Sequence, residues 1–192
     1  MFSYRVDDEI SLVLPRVIDA QSVFELIKKN EAYLAEWLPW PRQLDSVAAE
    51  ADIFREQLRL FADGRSLNLL LWFHGEIVGC LSLNTIHAET QSADIGYWLA
   101  QDKQGYGIMH RSLLALFEIS FGEYGLEKLM IAAATGNQPS NAVIRHAGFH
   151  FDGVNRRAEK LERGWVDHNW YSLLKSEWLE LATAVHDESR KN

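Results

Sequence analysis

Hydrophobic residues occur along this chain either in short continuous runs or at a three- to four-residue spacing, and the two patterns predict different elements. An apolar run at residues 10–14 predicts a first strand. A helical spacing then predicts a helix over Ile18–Leu38, which Pro39 ends. The segment LPWPRQLDS is predicted to be a loop, and a second helix is predicted over about Val47–Phe61.

The middle of the chain is richer in strand patterns. LNLLLWF and HGEIVGCLSLNTI predict a hairpin of two buried strands, with Gly75 in the turn after His74. ADIGYWLA (93–100) and KLMIAAAT (128–135) predict two further strands. Between them a glycine-bearing turn, QDKQGYG, leads into a predicted helix, whose buried face consists of Met109, Leu113, Leu116, Phe117 and Phe121.

The last part of the chain predicts a short helix and a closing pair of strands. PSNAVIRHA predicts the helix, with Gly148 at its C-cap, and GFHFDG and DHNWYSLLK predict the strands. This order of elements is typical of a mixed α/β layered domain. Because 192 residues can bury one core without disulfides, we expect a single domain over residues 1–182 and a C-terminal tail over 183–192.

Composition and charge restrict the class of protein. Hydrophobic residues make up 47% of the chain and charged residues 24%, which is ordinary for a soluble domain. A net charge of −8 argues against a nucleic-acid surface. No apolar run approaches the ~20 residues of a membrane span, and the N-terminal residues lack the layout of a signal peptide. We therefore expect a cytoplasmic protein that contacts neither nucleic acid nor membrane.

Two groups of potentially reactive residues are better explained by structure than by chemistry. The single cysteine, Cys80, lies in the apolar run IVGCLSL, so it is predicted to pack in the core and not to act as a nucleophile. His146 and His150 have the i, i+4 spacing of helical metal ligands, but Gly148 interrupts the helix between them. We therefore expect no metal site.

The turn QDKQGYG is the strongest candidate for a ligand site. Gly105 and Gly107 allow positive φ and close approach of the backbone, and the first amides of the following helix have no helical partner. Such a helix N-terminus favours an anion, although a plain strand-to-helix turn would use the same residues. The turn lacks the GxxxxGK[ST] pattern of a P-loop. It is also not a dinucleotide fingerprint, because His110 occupies the third glycine position.

The motifs around this turn resemble a known superfamily. IGYWL before the turn and NQPSNAVIRHAGF after the next strand resemble the GNAT acetyltransferases. Within that superfamily, the chain resembles the RimJ/RimL ribosomal-protein N-terminal acetyltransferases, and most closely the RimL type, through NEAYLAEWLPWP, QGYGIM, NQPSNAV, AEKLERG and VDHNWY in that order. The resemblance implies a mostly antiparallel central sheet with a splayed parallel strand pair and helices on both faces.

The same resemblance implies acetyl-CoA as cofactor. The pyrophosphate would lie on the amides of the turn, and the pantetheine arm would pair with the strand before it. Asp102 stands where the family pattern has Gln or Arg, which weakens a side-chain contribution there but leaves the amides in place. The implied cofactor-binding residues are Tyr97, Trp98, Leu99, Gln104, Gly105, Tyr106, Gly107, Ile108, Met109, Asn137 and Ser140.

Two catalytic residues are also implied by the resemblance. Ile144 occupies the position of the tyrosine acid found in many GNAT enzymes, and it cannot donate a proton. Ser140 of the NxxS motif matches the serine that is thought to protonate the leaving thiolate, although a helix-capping role is the alternative. Glu159 matches the carboxylate assigned as general base. His168 is better tuned as a base near neutral pH, and water is a third candidate.

The acceptor is the least determined part of the prediction. By resemblance Trp37, Leu38 and Trp40 cover an acceptor channel, although a hydrophobic plug or a homo-oligomer contact would use the same surface. The implied acceptor is the N-terminal serine of the acidic ribosomal stalk protein, attacked directly in a ternary complex. A small amine is the alternative substrate, and a non-catalytic acyl-CoA sensor is the alternative of another class. An acidic enzyme gains no global steering toward an acidic acceptor.

Overall fold

The computed structural model describes residues 3–181 of the chain. The tail predicted over 183–192 lies outside these described residues, as does the end of the predicted domain at 182. In the described part, no helix has the length and apolar character needed to cross a membrane.

A single mixed sheet forms the centre of the fold. Its eight strands, in chain order, are β1 (Ser3–Arg5), β2 (Ile10–Val13), β3 (Leu67–Phe73), β4 (Glu76–His87), β5 (Ser92–Leu99), β6 (Lys128–Ala134), β7 (His150–Leu161) and β8 (Gly164–Leu174). They are arranged in the order β1-β2-β3-β4-β5-β6-β8-β7. All neighbours are antiparallel except β5 and β6.

The parallel pair is short, and this creates the opening on which the site depends. β5 and β6 pair only from Ser92 opposite Lys128 to Ile95 opposite Ile131. Beyond that point β5 stays with β4 as far as Leu99, while β6 stays with β8 as far as Ala134. The two strands therefore separate toward their carboxyl ends, and the predicted splayed parallel pair is confirmed.

Helices cover both faces of the sheet, as predicted. The helices are α1 (Ala20–Lys29), α2 (Glu31–Ala35), α3 (Val47–Ala62), α4 (Ile108–Phe117) and α5 (Gln138–His146), followed by a helical segment at 175–181. Helices α1 and α3 share one buried cluster with Leu70 and Trp98. Helix α4 lies in the main core on the other face, with Leu113 and Phe117 fully buried. A π-helical turn, Glu118–Glu123, continues α4.

The long first helix is the clearest departure from prediction. The segment predicted as Ile18–Leu38 is a single 3₁₀ turn followed by α1 and α2, which are separated at Asn30 (φ −105°, ψ 8°). The Asn30 side chain donates to the Leu26 carbonyl and accepts from the Gln101 amide, both at 2.9 Å. The break thus connects this helix pair to the segment that leads into the glycine turn, a contact that no local periodicity reveals.

The termini of the sheet also differ from the prediction. Strand β1 was not predicted, and its three residues alternate between exposed and half-buried, so they carry little apolar signal. Strands β7 and β8 are longer than the predicted GFHFDG and DHNWYSLLK, and they meet at a tight turn between Leu161 and Gly164. The added length is mostly polar and exposed, which explains why the apolar pattern did not reveal it.

Candidate active site

A cleft of about 340 Å³ opens where β5 and β6 separate. Its walls come from the end of β5, the glycine turn, the start of α4, the end of β6, the start of α5, and the segment that includes α2 and the residues after it. The cleft brings together most of the predicted cofactor and acceptor residues, namely Trp37, Leu38, Tyr97, Trp98, Leu99, Gln104, Gly105, Gly107, Ile108, Met109, Asn137 and Ser140.

The glycine turn has the geometry that an anion cradle requires. Gly105 and Gly107 have φ of +81° and +68°, and Gly107 is the left-handed N-cap of α4. Within residues 3–181, the amides of Gly105 to Gly107 donate to no backbone carbonyl, and the first amides of α4 have no helical acceptor. These donors lie at the mouth of the cleft, where a pyrophosphate would gain both hydrogen bonds and the favourable helix dipole.

Charged side chains fix the turn from outside. Arg111 donates to Asp7 at 2.7 Å and to Glu9 at 2.8 Å, and it also donates to the Tyr106 carbonyl at 3.2 Å. Asp102, the departure from the family pattern, pairs with Lys29 at 2.9 Å, and this hydrogen bond lowers the pKa of the Asp102 carboxyl. Because Lys29 neutralises it, Asp102 adds little repulsion toward a bound anion.

Ser140 lies in the cleft with its hydroxyl available for chemistry. The Asn137 side chain caps α5 by accepting from the Ser140 amide at 3.2 Å, so the cap does not use the Ser140 hydroxyl. That hydroxyl instead forms a 2.7 Å hydrogen bond with the Tyr97 hydroxyl. Burial raises the pKa of Tyr97 to about 12, so Tyr97 stays protonated at neutral pH and holds the Ser140 oxygen at a fixed point of the wall.

Removing this hydrogen bond tests whether Tyr97 positions Ser140. We expect Tyr97→Phe to lower kcat about three- to tenfold, because one neutral hydrogen bond contributes roughly 1 kcal/mol and the ring itself is retained. Steady-state kinetics with saturating acetyl-CoA would measure the effect. Tyr124→Phe, which removes a half-buried hydroxyl outside the cleft, serves as the control. An equal loss in both variants would contradict the assignment.

Helix α5 is anchored by a residue that sequence analysis did not single out. Asn141 is 1% exposed, and its amide donates to the Ala134 carbonyl at 2.9 Å and to the Asn137 carbonyl at 2.7 Å. Its carbonyl accepts from Asn169 and from Tyr171, both at 2.7 Å. The amide is thus fully satisfied and joins α5 to β6 and β8. Its position directly after Ser140 in NQPSN was the only sequence signal.

Glu159 and His168, which the sequence offered as alternative bases, lie together. The Glu159 Oε2 is 3.5 Å from the His168 Nε2, and both side chains are partly buried between β7 and β8. His168 lies opposite Ala134 in the β6–β8 ladder, and the Asp167 carbonyl accepts from the Thr135 amide at 2.9 Å. The pair therefore lies beside the turn that leads to Asn137 and Ser140, although neither residue lines the cleft itself.

Two predicted residues take other positions. Tyr106 is 60% exposed, its ring centroid lies 6.0 Å from that of Phe73, and it does not line the cleft. Trp40 lines a neighbouring cavity and contacts Trp98 edge-on at 6.4 Å between ring centroids. Cys80 lines that same cavity, and burial raises the pKa of its thiol to about 12. A thiol with that pKa is a poor nucleophile at neutral pH. The prediction that Cys80 packs in the core is wrong, because its side chain is only partly buried and lines the cavity.

The turn between β7 and β8 reaches the side of the cleft that Trp37 lines, which the sequence did not indicate. The Arg163 guanidinium lies 4.4 Å from the centroid of the Trp37 ring, and Arg42 pairs with Glu162. A cation over an indole face is a favourable contact. The residues after α2 and the tip of this hairpin therefore meet across the mouth of the cleft, near where an acceptor would enter.

The residues that line the cleft are suited to bind coenzyme A. The cleft contains free amides at a helix N-terminus and the separated end of β5, whose backbone is free to pair with an amide-bearing arm. It is also lined by His110, whose buried Nδ1 has no hydrogen-bond partner within the described residues. Burial and the neighbouring His146 lower the pKa of His110, so it is neutral at physiological pH and able to bond a polar group of a ligand.

Comparison with known proteins agrees with this geometry. Residues 10–150 match the model of the acetyltransferase (GNAT) domain family. The chain is 33% identical over 183 residues to YdaF of Bacillus subtilis, a candidate ribosomal N-acetyltransferase, with 93% of this chain and 98% of that protein covered. It is 27% identical over 170 residues to the ribosomal-protein-serine acetyltransferase of Escherichia coli, with 88% and 95% covered.

A solved structure extends the likeness to the complete fold and to the cofactor. The chain superposes on RimL, the ribosomal L7/L12 α-N-protein acetyltransferase in complex with coenzyme A, with a TM-score of 0.87 and 29% identity. The superposition covers 90% of this chain and 98% of that one.

Proposed function

Since this chain belongs to the GNAT acetyltransferase family and is an acetyl-CoA-dependent N-acetyltransferase, we propose that its acceptor is the N-terminal serine of the acidic ribosomal stalk protein, modified in the cytoplasm. The observation that carries the proposal is the near full-length likeness to RimL, whose own name gives L7/L12 as its substrate. The resemblance of NQPSNAV, AEKLERG and VDHNWY to the RimL type adds residue-level support.

The chemistry of an α-amine suits the residues at the site. Acetyl-CoA supplies the acetyl group as a thioester. An α-amine has a pKa of ~7.7–8.0 against ~10.4 for lysine, so roughly a tenth of it is free base at pH 7. Only modest help from a base is then needed. In the proposed reaction Glu159, with His168 beside it at 3.5 Å, accepts the amine proton through water, and Ser140 donates a proton to the leaving sulfur.

The fixed positions of these groups supply the remainder of the rate enhancement. Tyr97 holds the Ser140 hydroxyl, and Asn141 holds the helix that carries it. The backbone of β5 beyond Ile95 has no strand partner on the β6 side, so its polar groups are available to orient the donor. Positioning and preorganised donors of this kind reduce the barrier without any large change in pKa.

Turnover of defined acceptors tests the proposal. Two peptides are compared: one has a free N-terminal serine, and the other is the same peptide blocked at its N-terminus but carrying a lysine. We expect kcat/KM for the first to be at least ~100-fold higher, because the neutral fraction of an α-amine exceeds that of a lysine amine by a few hundredfold at pH 7. A panel of antibiotics, polyamines and amino-acid derivatives is measured alongside, and the readout is thiol release on addition of acceptor.

Each of the other outcomes would indicate a different function for this protein. Turnover of a small amine without turnover of the peptide would replace the acceptor with a small molecule. Absence of thiol release with every acceptor, despite binding of acetyl-CoA, would indicate an acyl-CoA sensor. Mass spectrometry of cellular N-termini after deletion of the gene then identifies the natural acceptor.

A further inference from the structure

A second cavity, of about 760 Å³, lies on the opposite side of Trp98 from the cleft. Its floor is formed by Leu70, Cys80 and Trp98, which are cross-strand neighbours in β3, β4 and β5. Helices α1 and α3 cover it with Val23, Ile27, Ile53 and Phe54, and the loop between α2 and α3 contributes Trp40, Gln43 and Leu44. The lining is therefore mostly apolar and aromatic.

The mostly apolar lining also contains the carboxyl group of Glu50. Glu50 is only 5% exposed, and within residues 3–181 its carboxylate has no hydrogen-bond or ion-pair partner. It does not cap its own helix, because Ser46 fulfils that role by accepting from the Ala49 amide at 3.2 Å. Glu50 lines the cavity, and burial raises the pKa of its carboxyl to about 7, because the ionised form loses hydration there.

The groups that face Glu50 do not compensate its charge. From α3 itself, Asp52 and Glu56 lie at the cavity rim, and Arg55 and Arg59 pair with them and not with Glu50. From β4 comes the Cys80 thiol, and α1, β3 and β5 contribute only apolar and aromatic side chains. No lysine, arginine or histidine is among the described residues that line the cavity. Among residues 3–181, the cavity therefore offers no cationic side chain that could pair with Glu50.

The lining selects the class of ligand that could bind. A metal ion such as Mg²⁺ or Ca²⁺ requires six or more oxygen ligands, and within residues 3–181 no group of three or more His, Cys, Asp or Glu side chains is arranged to hold one. Indole rings and aliphatic side chains favour an organic cation with an apolar body. We propose that this cavity, with Glu50 at its wall and Trp40 and Trp98 beside it, is a binding site for a hydrophobic primary ammonium ion.

Titration calorimetry with phenethylamine, and with phenethyl alcohol as its uncharged analogue, tests the proposal on the full chain. At pH 8 we expect the amine to bind at least tenfold more tightly than the alcohol. We expect Glu50→Gln to remove that difference and Glu25→Gln, an exposed carboxyl on α1, to preserve it. Equal binding of amine and alcohol, or unchanged amine binding in Glu50→Gln, would overturn the proposal.

The pH dependence gives a test that needs no variant. A carboxyl with a pKa of about 7 is ~90% ionised at pH 8 and ~10% ionised at pH 6, while the amine stays charged. Affinity of the wild-type protein for the amine should therefore rise about tenfold from pH 6 to pH 8, and affinity for the alcohol should stay constant. A flat profile for the amine would contradict the role of Glu50.

Cys80 locates the binding event, since it is the only cysteine in the chain and lines the cavity. Saturating phenethylamine should slow labelling of Cys80 by a small neutral thiol reagent at least fivefold in the wild type and leave it unchanged in Glu50→Gln. Binding of the amine without protection of Cys80 would place the ligand elsewhere and overturn the assignment of the cavity.

Discussion

Replacing Ser140 with alanine is expected to lower kcat by two to three orders of magnitude while the Kd for acetyl-CoA changes less than about twofold. Proton transfer by a positioned group contributes about 10²–10⁴-fold to a rate. The Asn137 side chain, not the Ser140 hydroxyl, caps α5, so the substitution should leave the helix intact. Stopped-flow release of thiol and a separate binding titration measure the two quantities.

A serine on another helix provides the control for this experiment. Ser22→Ala on α1, an exposed position away from the cleft, should keep the kcat of the wild type. If Ser140→Ala retains full kcat, Ser140 is not the acid. If only the KM for acetyl-CoA rises, Ser140 is a binding contact, and the proton for the sulfur comes from another group.

The second large effect is expected at the glycine turn, where Gly107→Ala should weaken binding of acetyl-CoA about 10- to 100-fold. Gly107 has φ +68°, a conformation in which a Cβ costs roughly 1–2 kcal/mol. The added methyl group would also lie on the N-cap, where the free amides of the cradle converge. Calorimetry with acetyl-CoA measures the loss directly.

Gly125 supplies a matched control for strain alone. It has φ +63°, a Cβ added there would meet no atom within 4 Å, and it lies outside the cleft. Gly125→Ala should therefore lower Tm about as much as Gly107→Ala and leave the Kd for acetyl-CoA unchanged. If Gly107→Ala also keeps the wild-type Kd, the turn is not the pyrophosphate site.

Sequence alone predicted the parts of the fold that depend on local pattern. The central strands, helix α3, helix α4 and the glycine turn follow from apolar spacing and backbone requirements. The resemblance supplied the splayed strand pair, which the register of β5 and β6 confirms. The contents of the cleft follow from the same motifs, because strand, turn and helix keep their side chains in a fixed order.

The residues that were missed act across long stretches of chain. At the break between α1 and α2, the Asn30 side chain accepts a hydrogen bond from the Gln101 amide, seventy-one positions away. Glu50 is unusual only because α1 and the sheet bury it. Glu159 and His168 were treated as alternatives because their cross-strand proximity depends on the register of β7 and β8. Apolar periodicity contains no information on such pairs.

The four-residue length of the β5–β6 ladder has a consequence for how the molecule holds together. The sheet consists of two half-sheets joined by a short seam, and each half ends in a strand edge that lacks a partner at the cleft. A pantetheine arm paired along the end of β5 would act as a ninth, non-peptide strand across that seam. A ligand at 100 times its Kd adds ~2.7 kcal/mol to the free energy of unfolding. We therefore expect the stability of this protein to rise and fall with the concentration of acetyl-CoA in the cell.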